Sequence, residues 1–299
     1  MDYEEQACSL DCAGQQLIGI LTLPLPLPLP LPLPLPDTDT EAAAKPPVPG
    51  ILMLVGGAQY RSGSHRQFTL LARSFAAAGF PVMRVDFHGM GDSSGDTADF
   101  ETFGPDIDCA LAAFSQAVPA MAGVVLWGLC DGASAALLHG HADARVRGMV
   151  LVNPWARTES GQAQAYLKHY YRSRLWSPDL WGKILRGRFD AKAALLSLWE
   201  QLRRALRGAG PAVQASLPDR LLQGYAGFAG PVLLILSGQD LTAREFADLA
   251  TPGSRWETLL QDQRTTRLNL PEANHTFSTR SWRQDVAQAT LQWLARWHS

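Results

Sequence analysis

Val124-Val-Leu-Trp-Gly-Leu-Cys-Asp-Gly-Ala-Ser-Ala-Ala-Leu-Leu138 runs from an apolar start, through Gly128-Leu-Cys130-Asp-Gly132, into a series of small and apolar residues. The first part predicts a buried strand, and the last a helix whose small side chains let it lie close beneath that strand. Between them the backbone reverses sharply. Glycines two residues to either side of Cys130 leave room for such a turn, because a side chain at either place would meet the facing backbone. The turn presents Cys130 at its tip, where the amide of Asp131 and the positive end of the helix face the same point. A cysteine held this way is a candidate nucleophile. Gly-x-Cys-x-Gly alone also occurs around inert buried cysteines, so the flanking strand and helix carry the assignment.

A thiol nucleophile needs a base and a group that orients the base, and on a strand-turn-helix scaffold these follow it in the order acid, then histidine. Pro231-Val-Leu-Leu-Ile-Leu-Ser-Gly-Gln-Asp240 predicts a buried strand that delivers the carboxylate of Asp240 to the carboxyl edge of a parallel sheet. Thr266-Arg-Leu-Asn-Leu270 predicts a short last strand, then a loop, Pro271-Glu-Ala-Asn-His-Thr-Phe277, and a helix that begins near Ser281. Cys130, Asp240 and His275 are therefore the candidate catalytic residues. Each alone has an ordinary explanation: a small buried side chain, a helix-capping carboxylate, a polar loop residue. Together, each at the end of a strand, they point to acyl transfer. Ser93 and Ser134 are alternative nucleophiles, but neither stands at the tip of such a turn. The helix end and His275 are expected to lower the Cys130 thiol below its usual pKa of about 8.5, with the carboxylate of Asp131 opposing this unless it points away.

Gly50-Ile-Leu-Met-Leu-Val55 predicts another buried strand, and the turn Gly56-Gly57-Ala58-Gln59 after it can aim backbone amides at a developing negative charge. The candidate oxyanion donors are the amides of Asp131 and of either Gly57 or Ala58. Next, Tyr60-Arg-Ser-Gly-Ser-His-Arg-Gln-Phe68 is polar for a helix entrance. Tyr60, Arg61, His65 and Arg66 are candidates to hold an anionic or polar substrate group, or else they are solvated loop side chains. Asp86-Phe-His-Gly-Met-Gly-Asp92 has the glycine spacing of a nucleotide-binding turn but leads into Asp-Ser-Ser-Gly rather than a glycine-supported helix start. That excludes the nucleotide use, and His88 and Asp92 are read as structural.

Strand and helix patterns alternate along the chain. Strands are expected at 16–22, 81–86, 122–127 and 148–153, and helices at 67–78, 103–117 and 133–139, the signature of an α/β fold with a mostly parallel central sheet and helices on both faces. Seven Leu-Pro pairs fill Leu23 to Pro36; proline lacks an amide proton and biases its predecessor to extended backbone, so this run is polyproline II-like, and its place is a surface loop over 23–49. A repeat expansion tolerated in a loop explains it, and docking of a proline-motif partner is the other use. From Trp155 to Gly230 the pattern changes to aromatic residues among many basic ones, predicting a helical cap inserted between sheet strands. Ala193 to Leu206 reads as an amphipathic helix with Arg203, Arg204 and Arg207 beside it, either a solvated face or a contact for a membrane surface or an anionic glycan. The expected organisation is a core over 1–154, the cap over 155–230 and the rest of the core over 231–299.

With 299 residues, 46% hydrophobic, the chain is long enough for one large domain plus an insertion. A net charge of −2 gives no case for nucleic acid as a partner. Met1-Asp-Tyr-Glu-Glu lacks the basic start of a signal peptide, and no apolar run is long enough to cross a bilayer, so a cytoplasmic location is expected. The cysteines at 8, 12, 109 and 130 have no metal-site spacing; no metal or cofactor is called for, and in a reducing compartment no disulfide is expected. Cys8 and Cys12 are assigned to an amino-terminal hairpin and Cys109 to the apolar face of a helix, all three structural.

The segments Gly56-Gly-Ala-Gln-Tyr-Arg-Ser-Gly-Ser-His-Arg-Gln-Phe68, Arg84-Val-Asp-Phe-His-Gly-Met-Gly-Asp-Ser93, Leu126-Trp-Gly-Leu-Cys-Asp-Gly132 and Asn274-His-Thr-Phe-Ser278 resemble those of the α/β-hydrolases, and more narrowly the exosortase A system-associated hydrolases of type 1. The resemblance implies a cytoplasmic hydrolase encoded with bacterial exopolysaccharide and exosortase machinery, and it names no substrate. Cysteine also replaces serine in the dienelactone hydrolase branch of the superfamily, so the departure at Cys130 is compatible with activity. Thiolates leave more readily than alkoxides, which favours thioesters, activated esters and lactones, small or acylated molecules, over plain amides. The competing class is a non-catalytic binding protein on a hydrolase scaffold, serving exopolysaccharide assembly.

Overall fold

Apolar runs of five to eight residues bounded by glycine and proline become the central strands of the computed structural model, which describes residues 2–25, 47–56, 59–96, 99–156 and 215–296. Strand β1 (Tyr3–Cys12) turns at Ala13 and Gly14, both at positive φ, into β2 (Gln15–Pro24), giving an antiparallel hairpin. Then come β3 (Gly50–Leu54), helix α1 (Gln67–Ala77), β4 (Val82–Val85), α2 (Gly104–Ala117), β5 (Val124–Leu129), α3 (Asp131–His139) and β6 (Val146–Val152). The last third supplies α4 (Leu217–Gly227), β7 (Val232–Gln239), α5 (Leu241–Ala247), α6 (Arg255–Leu260), β8 (Thr265–Asn274) and α7 (Arg280–Ala295).

The eight strands form one sheet in the order β1-β2-β4-β3-β5-β6-β7-β8, antiparallel at β1-β2 and β2-β4 and parallel from β4 onward. The inner parallel strands are buried on both faces, which is why they read as apolar runs, whereas the edge strand β8 alternates. Ile51, Met53, Val125, Trp127, Val150 and Val152 face a core with Phe68, Leu71 and Phe75 of α1 and Val286, Trp293 and Leu294 of α7. Phe68 meets Trp127 edge-on at 5.5 Å between ring centres. On this scale of burial each large aliphatic side chain contributes about 1.5–3 kcal/mol. Helices α2 and α3 pack on one another and on β3, β5 or β6.

The expectation that no disulfide forms is overturned. Cys12, at the end of β1, is bonded to Cys109 in α2, with the two Cα atoms 5.8 Å apart across a sequence separation of 97. The hairpin lies beside α2, and this places two residues, each assigned to a separate structural position, within bonding reach. Cys8 stays free and half-buried.

The chain separates into a core unit, Met1–Ala156 with Leu221–Ser299, and a second unit, Arg157–Arg220. Residues 157–214 lie outside the described residues, and with them most of the span 155–230 assigned to a cap, of which Trp155, Ala156 and the stretch holding α4 are described; the Leu-Pro run beyond Leu25 lies outside them as well. Among the described residues no helix is long and apolar enough to cross a membrane.

Candidate active site

The sheet order reverses between β3 and β5: β4 lies on one side of β3 and β5 on the other, so the connections leaving these strands diverge and open a crevice at their carboxyl ends. Leu54 pairs with Gly128 there, which brings the turn after β3 next to the turn after β5. Cys130 occupies the latter turn with φ 56° and ψ −120°, a conformation that costs a non-glycine residue about 1–3 kcal/mol. The neighbours hold it there. The Cys130 amide donates to the Val152 carbonyl at 2.9 Å, and the Cys130 carbonyl accepts from the amides of Ala133 and Ser134 at 3.0 and 3.1 Å. The glycines are required by contact: a Cβ on Gly128 would stand 2.3 Å from the Gly132 carbonyl carbon, and one on Gly132 would stand 2.2 Å from the Leu54 oxygen.

Asp240 follows β7 directly and has two tasks. Its carboxylate accepts from the amides of Thr242 and Ala243 at 3.1 and 3.2 Å, capping α5, and from His275 Nδ1 at 2.8 Å. Because a carboxylate only accepts, the proton of the ring sits on Nδ1 and leaves Nε2 as the basic nitrogen. His275 follows β8, the strand that pairs with β7, so adjacent strand ends bring the two together.

Cys130 departs from expectation. Its Sγ donates to Asp131 Oδ1 at 3.5 Å, and no hydrogen bond joins it to His275 among the described residues. Burial pushes the thiol pKa well up; the Asp131 carboxylate adds to this, and the charge of Asp240 acts in the same direction. The Asp131 amide favours the thiolate but is outweighed. The resting thiol is therefore protonated, not the lowered thiolate that the helix end alone would give.

The oxyanion candidates Gly57 and Ala58 lie outside the described residues. Gly56 before them packs on the elbow, where a Cβ would come within 2.5 Å of the Gly132 nitrogen and 3.0 Å of the Asp131 nitrogen. Of the four substrate candidates, Arg61 is committed elsewhere: its guanidinium pairs with the buried Asp86, and with Asp92 at 2.8 Å. Those carboxylates hold it as a strut between the loops after β3 and β4, which agrees with a structural Asp92. Tyr60 is 52% exposed, and His65 and Arg66 are exposed at φ 53° and 58°. His88 is tied to Asp106 of α2 through Nδ1 at 2.6 Å. The alternative nucleophiles are engaged structurally: Ser93 Oγ donates to the Asp86 carbonyl at 2.6 Å, and buried Ser134 Oγ to that of Trp155 at 2.5 Å.

Asn153 escaped the sequence reading. It is fully buried after β6 at φ 45°, its Nδ2 donates to Ser237 Oγ at 2.9 Å and to the His275 carbonyl at 3.2 Å, and its Oδ1 accepts from the Ser237 amide at 2.8 Å. It thereby ties the ends of β6 and β7 to the histidine loop. An asparagine closing the apolar run Met149 to Val152, just before Pro154, was the available signal.

A mostly parallel sheet of this order, with a strained residue at its switch point and an Asp-His pair two strands away, is the architecture of the α/β hydrolases. A family model described as the alpha/beta hydrolase family matches residues 48–289, and the chain belongs to that family. By structure it is similar to an esterase of Pyrococcus furiosus, Pf2001, with a TM-score of 0.61 at 14% identity over 99% of this chain and 92% of that one. It is likewise similar to Est1E from Butyrivibrio proteoclasticus, solved with ferulic acid bound, with a TM-score of 0.59 at 14% identity over 97% and 98% of the two chains. A third is the hypothetical protein PA2218 from Pseudomonas aeruginosa, at 0.59, 17%, 99% and 94%. At such identities the likeness speaks for the fold. No curated protein matches the chain by sequence.

Proposed function

We propose that this hydrolase cleaves an ester, thioester or lactone through an acyl-enzyme on Cys130. His275 Nε2 takes the thiol proton, Asp240 keeps the other ring nitrogen protonated, and the sulfur attacks the carbonyl carbon. The oxyanion is met by the amides of Asp131 and of Gly57 or Ala58. The leaving alcohol or thiol departs with the proton from His275, and water, deprotonated by the same ring, releases the acid. The observation that carries this is the strained backbone of Cys130 at the switch point, kept there by glycines that tolerate no side chain. Tyr60, His65 and Arg66 are the polar groups offered to substrate.

The association with exopolysaccharide and exosortase machinery, and a cytoplasmic site of action, belong to the same proposal through the sequence resemblance. In that compartment the Cys12–Cys109 pair is expected to be open, because reducing compartments keep such thiols reduced. A contact with glycan or membrane through the basic residues of 155–230 is part of the proposal as well.

Hydrolysis of a panel of p-nitrophenyl esters, acyl thioesters and lactones by the wild type and by Cys130→Ala tests the chemistry. The expected result is turnover in the wild type, its loss in the variant with an unchanged melting curve, and an acyl adduct on the Cys130 peptide by mass. Full activity in Cys130→Ala overturns the mechanism. A specific observation favours one second reading, a non-catalytic binding protein: the thiol is bonded to Asp131 and not to His275. On that reading neither protein turns over any substrate in the panel.

A further inference from the structure

We infer that Asp131 is a positioning residue that holds the Cys130 thiol protonated in the resting protein, so that the nucleophile is latent until this carboxylate is turned aside or neutralised. The inference rests on Cys130 being the nucleophile. An acidic residue in the first turn of a helix has an ordinary use, since it complements the positive helix end. Here the side chain does something more specific. It accepts the Sγ–H bond of Cys130 at 3.5 Å, while the amide of the same Asp131 is the candidate oxyanion donor.

Two ionisable groups bear on the thiol from separate elements, Asp131 on α3 and Asp240 at the end of β7, the latter bonded to His275. Both carboxylates favour the protonated thiol, and burial acts in the same sense. Gly56 packs against the Asp131 Cβ, where an added methyl would stand 2.8 Å away. A substrate carbonyl that approaches Sγ comes up to the Asp131 carboxylate bonded to it. Displacing the carboxylate there removes the group that holds the proton and leaves His275 as the acceptor. Since the thiolate is the form that both attacks acyl groups and is oxidised, the same contact shields the resting cysteine from peroxide and alkylating agents.

The test is alkylation of the intact chain by iodoacetamide from pH 6 to 10, read at the Cys130 peptide by mass. In this reaction the thiolate forms an Sγ–C bond and iodide leaves. Wild type, Asp131→Asn, Asp131→Ser and His275→Ala are compared. Asparagine keeps the shape and serine suits a helix end, so one variant remains should the other not fold. The expected result is slow wild-type labelling at pH 7.5 with a midpoint above the ordinary thiol value of about 8.5. In either Asp131 variant the midpoint falls by about one unit or more, with labelling at pH 7.5 roughly tenfold faster. A wild-type midpoint at or below the ordinary value overturns the inference, as do unchanged profiles in both Asp131 variants. Labelling reads the thiol and not turnover. The expected profiles without hydrolysis of any substrate would sink the hydrolase mechanism and leave the proton-holding role of Asp131 standing; flat profiles with hydrolysis intact would do the reverse.

Discussion

The carboxylate of Asp240 binds His275 Nδ1 at 2.8 Å while capping α5 through the amides of Thr242 and Ala243. One side chain thus fixes both the ring and the helix that starts beneath it, and two substitutions separate the tasks. Asparagine caps as well as aspartate but cannot hold the ring in the same tautomer. Asp240→Asn should therefore melt within a degree or two of wild type and lose about three to four orders of magnitude in turnover. Asp240→Ala should lose the same activity and about 1 kcal/mol of stability besides.

Gly132→Ala should be a folding defect rather than an activity defect. Its Cβ would sit 2.2 Å from the backbone oxygen of Leu54 in β3, and neither partner can step aside without opening the sheet against α3. Overpacking of this kind costs about 1–3 kcal/mol and sometimes more. Chemical denaturation should show a lowered midpoint with an unchanged slope; an unaffected midpoint would mean that the elbow and β3 are not in contact.

Asn153→Ala removes three hydrogen bonds at a fully buried site and strands the amide of Ser237. A buried group left without its partner costs about 1–3 kcal/mol. The His275 carbonyl loses a donor at the same time, so the ring loop should loosen. The measurement is the His275 ring resonance by NMR alongside kcat/KM. Stability and kcat/KM are expected to fall together, with a broadened or shifted ring signal.

Reduction of the Cys12–Cys109 bridge, or its removal in Cys12→Ser, should lower stability by about 2–5 kcal/mol. A non-reducing peptide map should recover the two cysteines as one linked species, while Cys8 and Cys130 remain alkylatable after unfolding without reductant. Finding Cys12 alkylated under those conditions in protein from the native host would show that the bridge is open in the cell.

The raised thiol pKa of Cys130 has a consequence for stability at alkaline pH. Above about pH 8.5 the unfolded chain releases this proton while the folded chain keeps it. The folded state then binds more protons, so unfolding free energy falls as pH rises, by up to about 1.4 kcal/mol per unit. Tyr225, pushed up to about 12 by burial, adds a similar loss only once its own unfolded value near 10 is passed. Between roughly pH 8.5 and 10 the decline should therefore come from Cys130 and from Cys8, whose free thiol burial also pushes up, and Cys130→Ala should lessen it.

The elements that position the site were legible because the buried parallel strands before Cys130 and Asp240 announce themselves as apolar runs, while the strand before His275 shows only alternating Leu268 and Leu270. Helix α1 begins at Gln67 as expected, and β3 begins at Gly50. The last strand was read too short. It continues past Pro271 to Asn274, because it lies at the sheet edge, where proline is tolerated and the register shifts beside Gly238. What stayed hidden depends on side-chain direction or distant pairing. The sequence places Asp131 beside Cys130, but only its rotamer makes it a partner of the thiol. Arg61 was free to be a substrate ligand until Asp86 and Asp92 closed on it from the next loop. Cys12 and Cys109 meet through an edge hairpin and a helix that no local pattern connects.

The bond between Cys12 and Cys109 also gives the chain a covalent topology. It closes a ring of backbone that encircles β2, β3 and β4 in sequence, and with them the Leu-Pro tract and the turn after β3. A protease that nicks the tract makes one cut in a ring. The two fragments stay joined and migrate as a single band until reductant is added, and the β1-β2 hairpin stays tied to α2.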